Sequence, residues 1–340
     1  MERVIVLASV KGMVHSFTEE HLVVLADNNQ WYKFPIPEQR PEVSKRVVVW
    51  PREDGQSTFT YDEKPVDAAA AIAQSMYRYD HIASDRAATA QDVNDYRIKQ
   101  FWEQGYLVVD QLLTETEVAA ANEAITDIIQ GRIVGPRLQF MKKDNEMLTP
   151  EDRDRAMRKL HKFIDHAPAL HDVCFNSQLQ DILERIFGEK AQFLEDQAIL
   201  KPPSSEAGGE KPWHQDMAYG NLSQTKMICG VWIALDEAAL DNGCMHVIPR
   251  SHMDGPVPHY AIRDWQLCDT NVAVERDVAV PLKPGGALFF AGLLHHGTPP
   301  NFSSKRRRAL QFHYSPASSR KMTPQEFKMM FTNEMTNAEC

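Results

Sequence analysis

The feature that most constrains this chain is a dispersed set of three side chains: His214 and Asp216 in the run Trp213-His214-Gln215-Asp216, and His296 in His295-His296-Gly297. Two imidazoles and one carboxylate are the ligand set that holds a non-haem Fe(II) on one face and leaves the other positions open. A metal held on one side can take a chelating co-substrate and dioxygen together, whereas a structural metal has its shell closed. The spacing predicts a β-strand, since residues two apart on a strand share a face; His214 and Asp216 then aim at one ion while Gln215 points away. In a chain with 13 histidines a lone His-x-Asp arises by chance, so its neighbourhood decides. Arg307, on a strand pair joined by a turn after His296, can return to the same pocket. Its guanidinium fork matches a carboxylate, as an anchor for 2-oxoglutarate requires.

Four stretches carry a wider pattern. They are Phe101-Trp102-Glu103-Gln104-Gly105-Tyr106-Leu107-Val108-Val109, then Lys201-Pro202-Pro203 with His214-Gln215-Asp216, then Gly230-Val231-Trp232-Ile233-Ala234-Leu235 with Asn242-Gly243-Cys244-Met245 and Ile248-Pro249-Arg250-Ser251-His252. The last is His296-Gly297-Thr298 with Asn301 and Arg307-Arg308-Ala309-Leu310-Gln311. From Tyr96 to Pro316 the chain resembles the phytanoyl-CoA dioxygenase family of Fe(II)/2-oxoglutarate-dependent oxygenases. The resemblance implies that His214, Asp216 and His296 bind Fe(II) and that Arg307 pairs with the distal carboxylate of 2-oxoglutarate. It also implies a supporting hydroxyl from Thr298, an aromatic pocket wall from Trp232, and further co-substrate contacts from Gln197 and Lys159. His295 is the rival third ligand; His296 is preferred because the family ligand directly precedes glycine. The implied activity consumes 2-oxoglutarate and dioxygen, releases succinate and carbon dioxide, and oxidises a small-molecule substrate. Related halogenases replace the carboxylate ligand with a halide, so Asp216 favours hydroxylation or a related oxidation. Two alternatives stand beside this: a catalytically idle binding or regulatory protein, and a cupin-like metalloenzyme that uses no 2-oxoglutarate.

Other residues read more plainly. Trp232 in an apolar run also suits a core. Within Arg306-Arg307-Arg308, strand alternation sets only the middle side chain apart from a solvated basic face. His246 and His252 are expected to be structural, Asn242-Gly243 to turn a two-residue hairpin, and Cys229 and Cys244 to be buried thiols.

A formal net charge of -10 over 340 residues argues against nucleic acid or an anionic membrane as partner, because phosphate binding needs clustered positive charge. The apolar run Val4 to Val10 is too short to span a bilayer and lacks a signal-peptide cleavage region. Five cysteines in no paired spacing fit a reducing compartment. The expected location is the cytoplasm.

Composition shifts near residue 90. Before it, apolar β-branched runs at Arg3 to Val10, Leu22 to Ala26, Trp31 to Pro35, Arg46 to Trp50 and Thr58 to Tyr61 alternate with turn signals, and a helix is expected over Val66 to Arg78. Residues 1–88 thus read as a β-rich accessory module and a candidate contact for homo-oligomers. Residues 89–340 read as an α+β oxygenase domain with a double-stranded β-helix, or jelly-roll, core and flanking helices. Helices are expected at Ala90 to Glu103, Thr114 to Gly131, Thr149 to Arg158 and Ser177 to Phe187. Lys201 to Pro212 and Gly131 to Glu146 are expected to line the pocket mouth, and Met322 to Cys340 to form an amphipathic tail.

Overall fold

The computed structural model describes residues 10–26, 31–38, 40–41, 46–51, 56–61, 75–143, 149–203 and 209–332. The chain divides into two compact units, Met1–Ser75 and Met76–Cys340. The first holds strands β1 (Val10–Phe17), β2 (His21–Ala26), β3 (Trp31–Pro35), β4 (Arg46–Pro51) and β5 (Ser57–Tyr61). They form an antiparallel sheet in the order β3-β2-β1-β4-β5. Alternation is clean on β2, where Leu22, Val24 and Ala26 are buried, and Leu22 and Val24 join Val14, Phe34, Val47 and Val49 in one small core. Period two makes this face apolar, and its burial is what a sheet of this size needs to persist. The strand expected at Arg3 to Val10 falls, apart from Val10, outside the described residues; the first strand seen runs Val10–Phe17 instead. Most of the expected Val66 to Arg78 helix also lies outside them, and Tyr77 and Arg78 are not helical.

The second unit contains strands β6 (Arg86–Thr89), β7 (Tyr106–Gln111), β8 (Arg137–Phe140), β9 (Met157–His161), β10 (Ala191–Lys201), β11 (Lys211–His214), β12 (Cys229–Ala234), β13 (Met245–Val247), β14 (His259–Ala261), β15 (Trp265–Leu267), β16 (Val278–Val280), β17 (Ala287–Ala291), β18 (His296–Thr298) and β19 (Arg307–Pro316). Its helices are α1 (Asp95–Gln104), α2 (Glu115–Ile129), α3 (Pro150–Ala156), α4 (Pro168–Cys174), α5 (Ser177–Phe187) and α6 (Pro324–Phe331). The large sheet runs β6-β7-β17-β12-β19-β10-β9-β8 and the small one β11-β18-β13-β16. Residues of both sheets share one apolar core, in which Val231, Trp232 and Phe312 join Met245, Val247 and Val280. Two mostly antiparallel sheets closed on one core make a jelly roll, with the helices contributing apolar faces such as Val118, Ala121, Ile125 and Ile128 of α2. Thr114 starts α2 by capping Glu117 N while the Glu117 carboxylate returns to Thr114 N, the reciprocal pair that the sequence Thr-x-x-Glu anticipates.

Three expectations need correction. The helix placed at Thr149 to Arg158 stops at Ala156, and β9 begins at Met157, because pairing with β8 and β10 outweighs local propensity. The helix placed at Ala90 to Glu103 is a short 3-10 turn at Ala90–Asp92 followed by α1, which Asn94 caps. Asn242-Gly243 turns no hairpin, since β12 and β13 belong to different sheets. The Asn242 side chain instead binds Ala239 N and Glu237 O, and Gly243 takes φ +84 where the loop crosses over. In the tail, α6 packs Phe331 beside Met217, Leu222 and Ile228 while Met329 and Met330 stay exposed.

The unit boundary at Ser75/Met76 precedes the expected 88/89 boundary. Tyr77 stacks on Trp213 with ring centroids 5.2 Å apart and donates to Lys211 O, Trp213 Nε1 donates to Met76 O, and β6 pairs in parallel with β7. A chain beginning at Met76 is therefore expected to unfold cooperatively and bind 2-oxoglutarate, whereas one beginning at Thr89 aggregates, having lost Tyr77 and nearly all of β6. Equal behaviour of the two in thermal unfolding and 2-oxoglutarate binding would contradict this boundary.

Candidate active site

His214 closes β11, Asp216 opens the 3-10 turn that follows it, and His296 opens β18, which pairs with β11 so that His214 and His296 stand opposite each other. Asp216 is thus not on a strand, contrary to the alternation argument. The chain bends at Gln215, whose buried side chain donates to Gly255 O and Leu293 O and accepts from Val257 N. That pinning turns Gln215 away and swings Asp216 inward. The Asp216 Oδ1 lies 3.4 Å from His214 Nε2 and 3.4 Å from His296 Nε2, and the three potential ligand atoms fall within 4.8 Å of one another.

The hydrogen bonds behind these atoms set their chemistry. His214 Nδ1 contacts Pro212 O at 2.7 Å and His296 Nδ1 contacts Leu294 O at 2.9 Å. A carbonyl only accepts, so each Nδ1 carries a proton and each Nε2 is the ring nitrogen that faces Asp216. Burial, and then the neighbouring His296, pushes the His214 pKa down to about 3, which keeps that ring neutral. On Asp216, Oδ2 accepts from His313 Nε2 at 2.7 Å and Gln311 Nε2 at 3.1 Å, leaving Oδ1 to face the imidazoles. Burial opposes the Asp216 charge, yet the His296 and His313 rings hold its carboxyl well below the usual range. His295 is buried elsewhere, with its backbone N–H on Ser251 Oγ. The structure therefore brings His296, and not His295, to the cluster.

The cluster opens into a cleft whose lining includes Lys159, Gln197, Trp232, Thr298 and Arg307 as well as the three clustered residues. Arg307 reaches it from β19 of the large sheet and His296 from β18 of the small one, so the two face each other across the jelly roll instead of sharing a hairpin. The Arg307 side chain is fully buried, its Cζ lies 5.1 Å from the Trp232 ring, and none of its three nitrogens has a hydrogen-bond partner among the described residues. Burial draws its pKa down to about 10, which still leaves it charged at neutral pH. Thr298 Oγ1 and His296 Nε2 are likewise buried without partners among the described residues. Gln197 and Lys159 come from β10 and β9, and the lining also takes Met141, Pro202, Gly209 and Glu210 from the two expected mouth loops.

The sequence reading missed Gln311 and His313, although both continue the period-two face that Arg307 begins on β19. Arg308 is a correction of another kind. It is buried on the opposite face, where Nη1 donates to Asn122 O and Thr126 Oγ1 and Nη2 pairs with Asp154. Only Arg306 is solvated, and it reaches Asp154 and Asp236. His246 is structural as expected, with Nδ1 2.9 Å from Asp277, and His252 bonds Trp102 O. Cys229 and Cys244 are buried free thiols.

Comparison with known proteins converges on one group. The sequence profile of the phytanoyl-CoA dioxygenase (PhyH) family matches residues 101–309. A probable phytanoyl-CoA dioxygenase of Caenorhabditis elegans is 25% identical over 237 residues, which cover 64% of this chain and 74% of that protein. A probable alpha-ketoglutarate-dependent hypophosphite dioxygenase of Stutzerimonas stutzeri is 26% identical over 234 residues, 65% of this chain and 78% of the relative. The crystal structure of EvdO2 from Micromonospora carbonacea var. aurantiaca, complexed with 2-oxoglutarate, superposes with a TM-score of 0.56 at 24% identity, over 69% of this chain and 96% of that one. That last likeness is one of fold.

Proposed function

The chain belongs to the phytanoyl-CoA dioxygenase family and is an oxidoreductase of the 2-oxoglutarate-dependent type; from that premise we propose that it hydroxylates a small molecule, with His214, Asp216 and His296 holding Fe(II) and Arg307 anchoring 2-oxoglutarate. One observation carries the reading. Arg307 is a fully buried cation whose nitrogens have no hydrogen-bond partner among the described residues, and it lines the same cleft as a cluster of three metal-ligand atoms. Removing a guanidinium from water without a counter-charge is costly, so a position like this suits a ligand that brings a carboxylate.

The donor set fits the metal: two neutral Nε2 atoms and one carboxylate oxygen on a single side. When bound there, Fe(II) supplies dioxygen activation coupled to oxidative decarboxylation of 2-oxoglutarate to succinate and carbon dioxide. The protein's own part is positional. Pro212 O and Leu294 O fix the two imidazole tautomers, while His313 and Gln311 orient Asp216 by holding Oδ2. Arg307 takes the distal carboxylate, Thr298 Oγ1 adds a hydrogen bond to it, and Trp232 walls that end of the cleft. Gln197 and Lys159 line the same cleft and complete the co-substrate contacts. Burial of these groups keeps water from competing for them.

The unit before Met76 has an accessory role in this reading, as scaffold or self-association contact. Free thiols at Cys174, Cys229, Cys244 and Cys268 support a cytoplasmic setting. Among the described residues no helix is long and apolar enough to cross a membrane. The test is reconstitution without air. The protein should bind Fe(II) and 2-oxoglutarate in a one-to-one complex and, once exposed to oxygen, form succinate in step with 2-oxoglutarate loss. Binding without any turnover across a broad substrate panel would favour the idle alternative.

A further inference from the structure

The cleft carries two cations, Arg158 and Lys211, that the co-substrate contacts proposed above do not account for. Arg158 and Lys159 sit side by side on β9, and both line the cleft together with Lys211. Among the described residues neither the Arg158 nor the Lys159 side chain makes a hydrogen bond, and the carboxylate paired with Arg158 is that of Asp264, at 3.8 Å. Asp264 is already engaged, since Lys211 Nζ lies 2.7 Å from it. The other acids of the lining are committed elsewhere. Glu210 is held by Arg263 at 2.9 Å, and Glu195 faces the rings of His161 and His313 at 3.8 and 3.9 Å. Among the described residues Asp264 therefore serves both Arg158 and Lys211. The crowding shows in the ammonium groups: burial, and then Lys211, draws Lys159 down to about 8, and burial also lowers Lys211 despite its partner Asp264.

Lys211 also hydrogen-bonds Tyr219 Oη, and the Tyr219 ring stands edge-on to His214 with centroids 5.8 Å apart. The cationic patch is thus adjacent to the metal-ligand cluster. If Arg307 takes the distal carboxylate of 2-oxoglutarate and Lys159 faces the end near the metal, Arg158 keeps its forked donors directed into the cleft with half a partner. A guanidinium so placed favours a planar or tetrahedral oxyanion, which it can grip with two parallel N–H bonds.

Building on the oxygenase reading above, we infer that the primary substrate is itself an anion, bearing a carboxylate or phosphate group that Arg158 binds with Lys211 at the cleft mouth. The bound group shares Lys211 with Asp264, fixes one end of the molecule, and leaves its carbon skeleton directed past Tyr219 towards His214. A substrate with an uncharged end would leave Arg158 without this contact and would bind in no fixed register.

The test uses the full chain with Fe(II) and 2-oxoglutarate and a panel of matched small molecules: carboxylates, phosphate monoesters, and the amides and alcohols that lack the charge. The readouts are binding without air, by calorimetry, and stimulation of 2-oxoglutarate consumption in air. Binding and stimulation are expected from charged members alone, and whether carboxylates or phosphates respond identifies the group. For the best member, Arg158→Glu should weaken binding by about tenfold or more, while the requirement for 2-oxoglutarate moves much less; Arg158→Lys should restore part of the loss. Uncharged members performing as well as charged ones would overturn the inference, as would Arg158→Glu shifting substrate and 2-oxoglutarate affinity equally. Failure of the unsubstituted protein to bind 2-oxoglutarate at all would instead strike the oxygenase reading on which the inference rests.

Discussion

Asp216→Ala is expected to abolish 2-oxoglutarate turnover, as are His214→Ala and His296→Ala, whereas His295→Ala keeps most of it. Losing a single supporting partner behind a metal ligand lowers metal affinity by about 10- to 100-fold, so losing a ligand outright should exceed that range. Asp216 should be the most severe of the three. Its removal takes away the one anionic donor and also leaves His313 Nε2 and Gln311 Nε2 without the oxygen they share, a buried polar loss on top of the lost ligand. His295 differs because it lies outside the cluster, and Ser251 binds its backbone rather than its ring. Fe(II) affinity by anaerobic dialysis, measured beside succinate formation, separates ligand loss from misfolding when thermal midpoints are compared. An inactive His295→Ala beside an active His296→Ala would reverse the assignment of the third ligand.

The limits of the sequence as a guide follow from what each signal measures. His214, Asp216, His296, Thr298, Trp232, Gln197, Lys159 and Arg307 were singled out from spacing and family pattern, and all of them line one cleft. The local reason offered for Asp216 was nevertheless wrong, because a two-residue period cannot foresee the bend that Gln215 imposes by bonding three distant backbone groups. Arg308 looked like a solvated neighbour because sequence does not reveal that β19 is a central strand, buried along its length and covered by α2 on the far side. The start of β9, Met157 and Arg158, was taken into a helical pattern because its pairing partners lie on both sides of it, one far along the chain in β10. Gln311 and His313 were accessible to the same period-two argument as Arg307. Neither was given a role, Gln311 being quoted only as the end of the Arg307 stretch, because a Gln or a His on an apolar strand has no evident task until the Asp216 carboxylate is placed beside it.

The Arg307 anchor yields the second large effect. Arg307→Lys should raise the 2-oxoglutarate requirement at least about tenfold, because an ammonium replaces two parallel N–H bonds with a single point contact, a loss of about 2 kcal/mol in a buried charge pair. Arg307→Ala should cost more, leaving the distal carboxylate buried with Thr298 Oγ1 and no cation. The lysine variant also forfeits part of the guanidinium contact with the Trp232 ring, 5.1 Å away in the present arrangement. Arg306→Ala should leave the requirement nearly unchanged, since Arg306 is exposed and pairs with Asp154 and Asp236 outside the cleft. Arg308→Ala should instead lower the thermal midpoint, because its bonds to Asn122 and Thr126 tie α2 to β19 on the far face. Titration of 2-oxoglutarate into each Fe(II)-loaded variant without air measures the requirement directly, independent of the substrate. Equal losses from all three positions would mean that a diffuse basic surface, and not one buried guanidinium, holds the co-substrate.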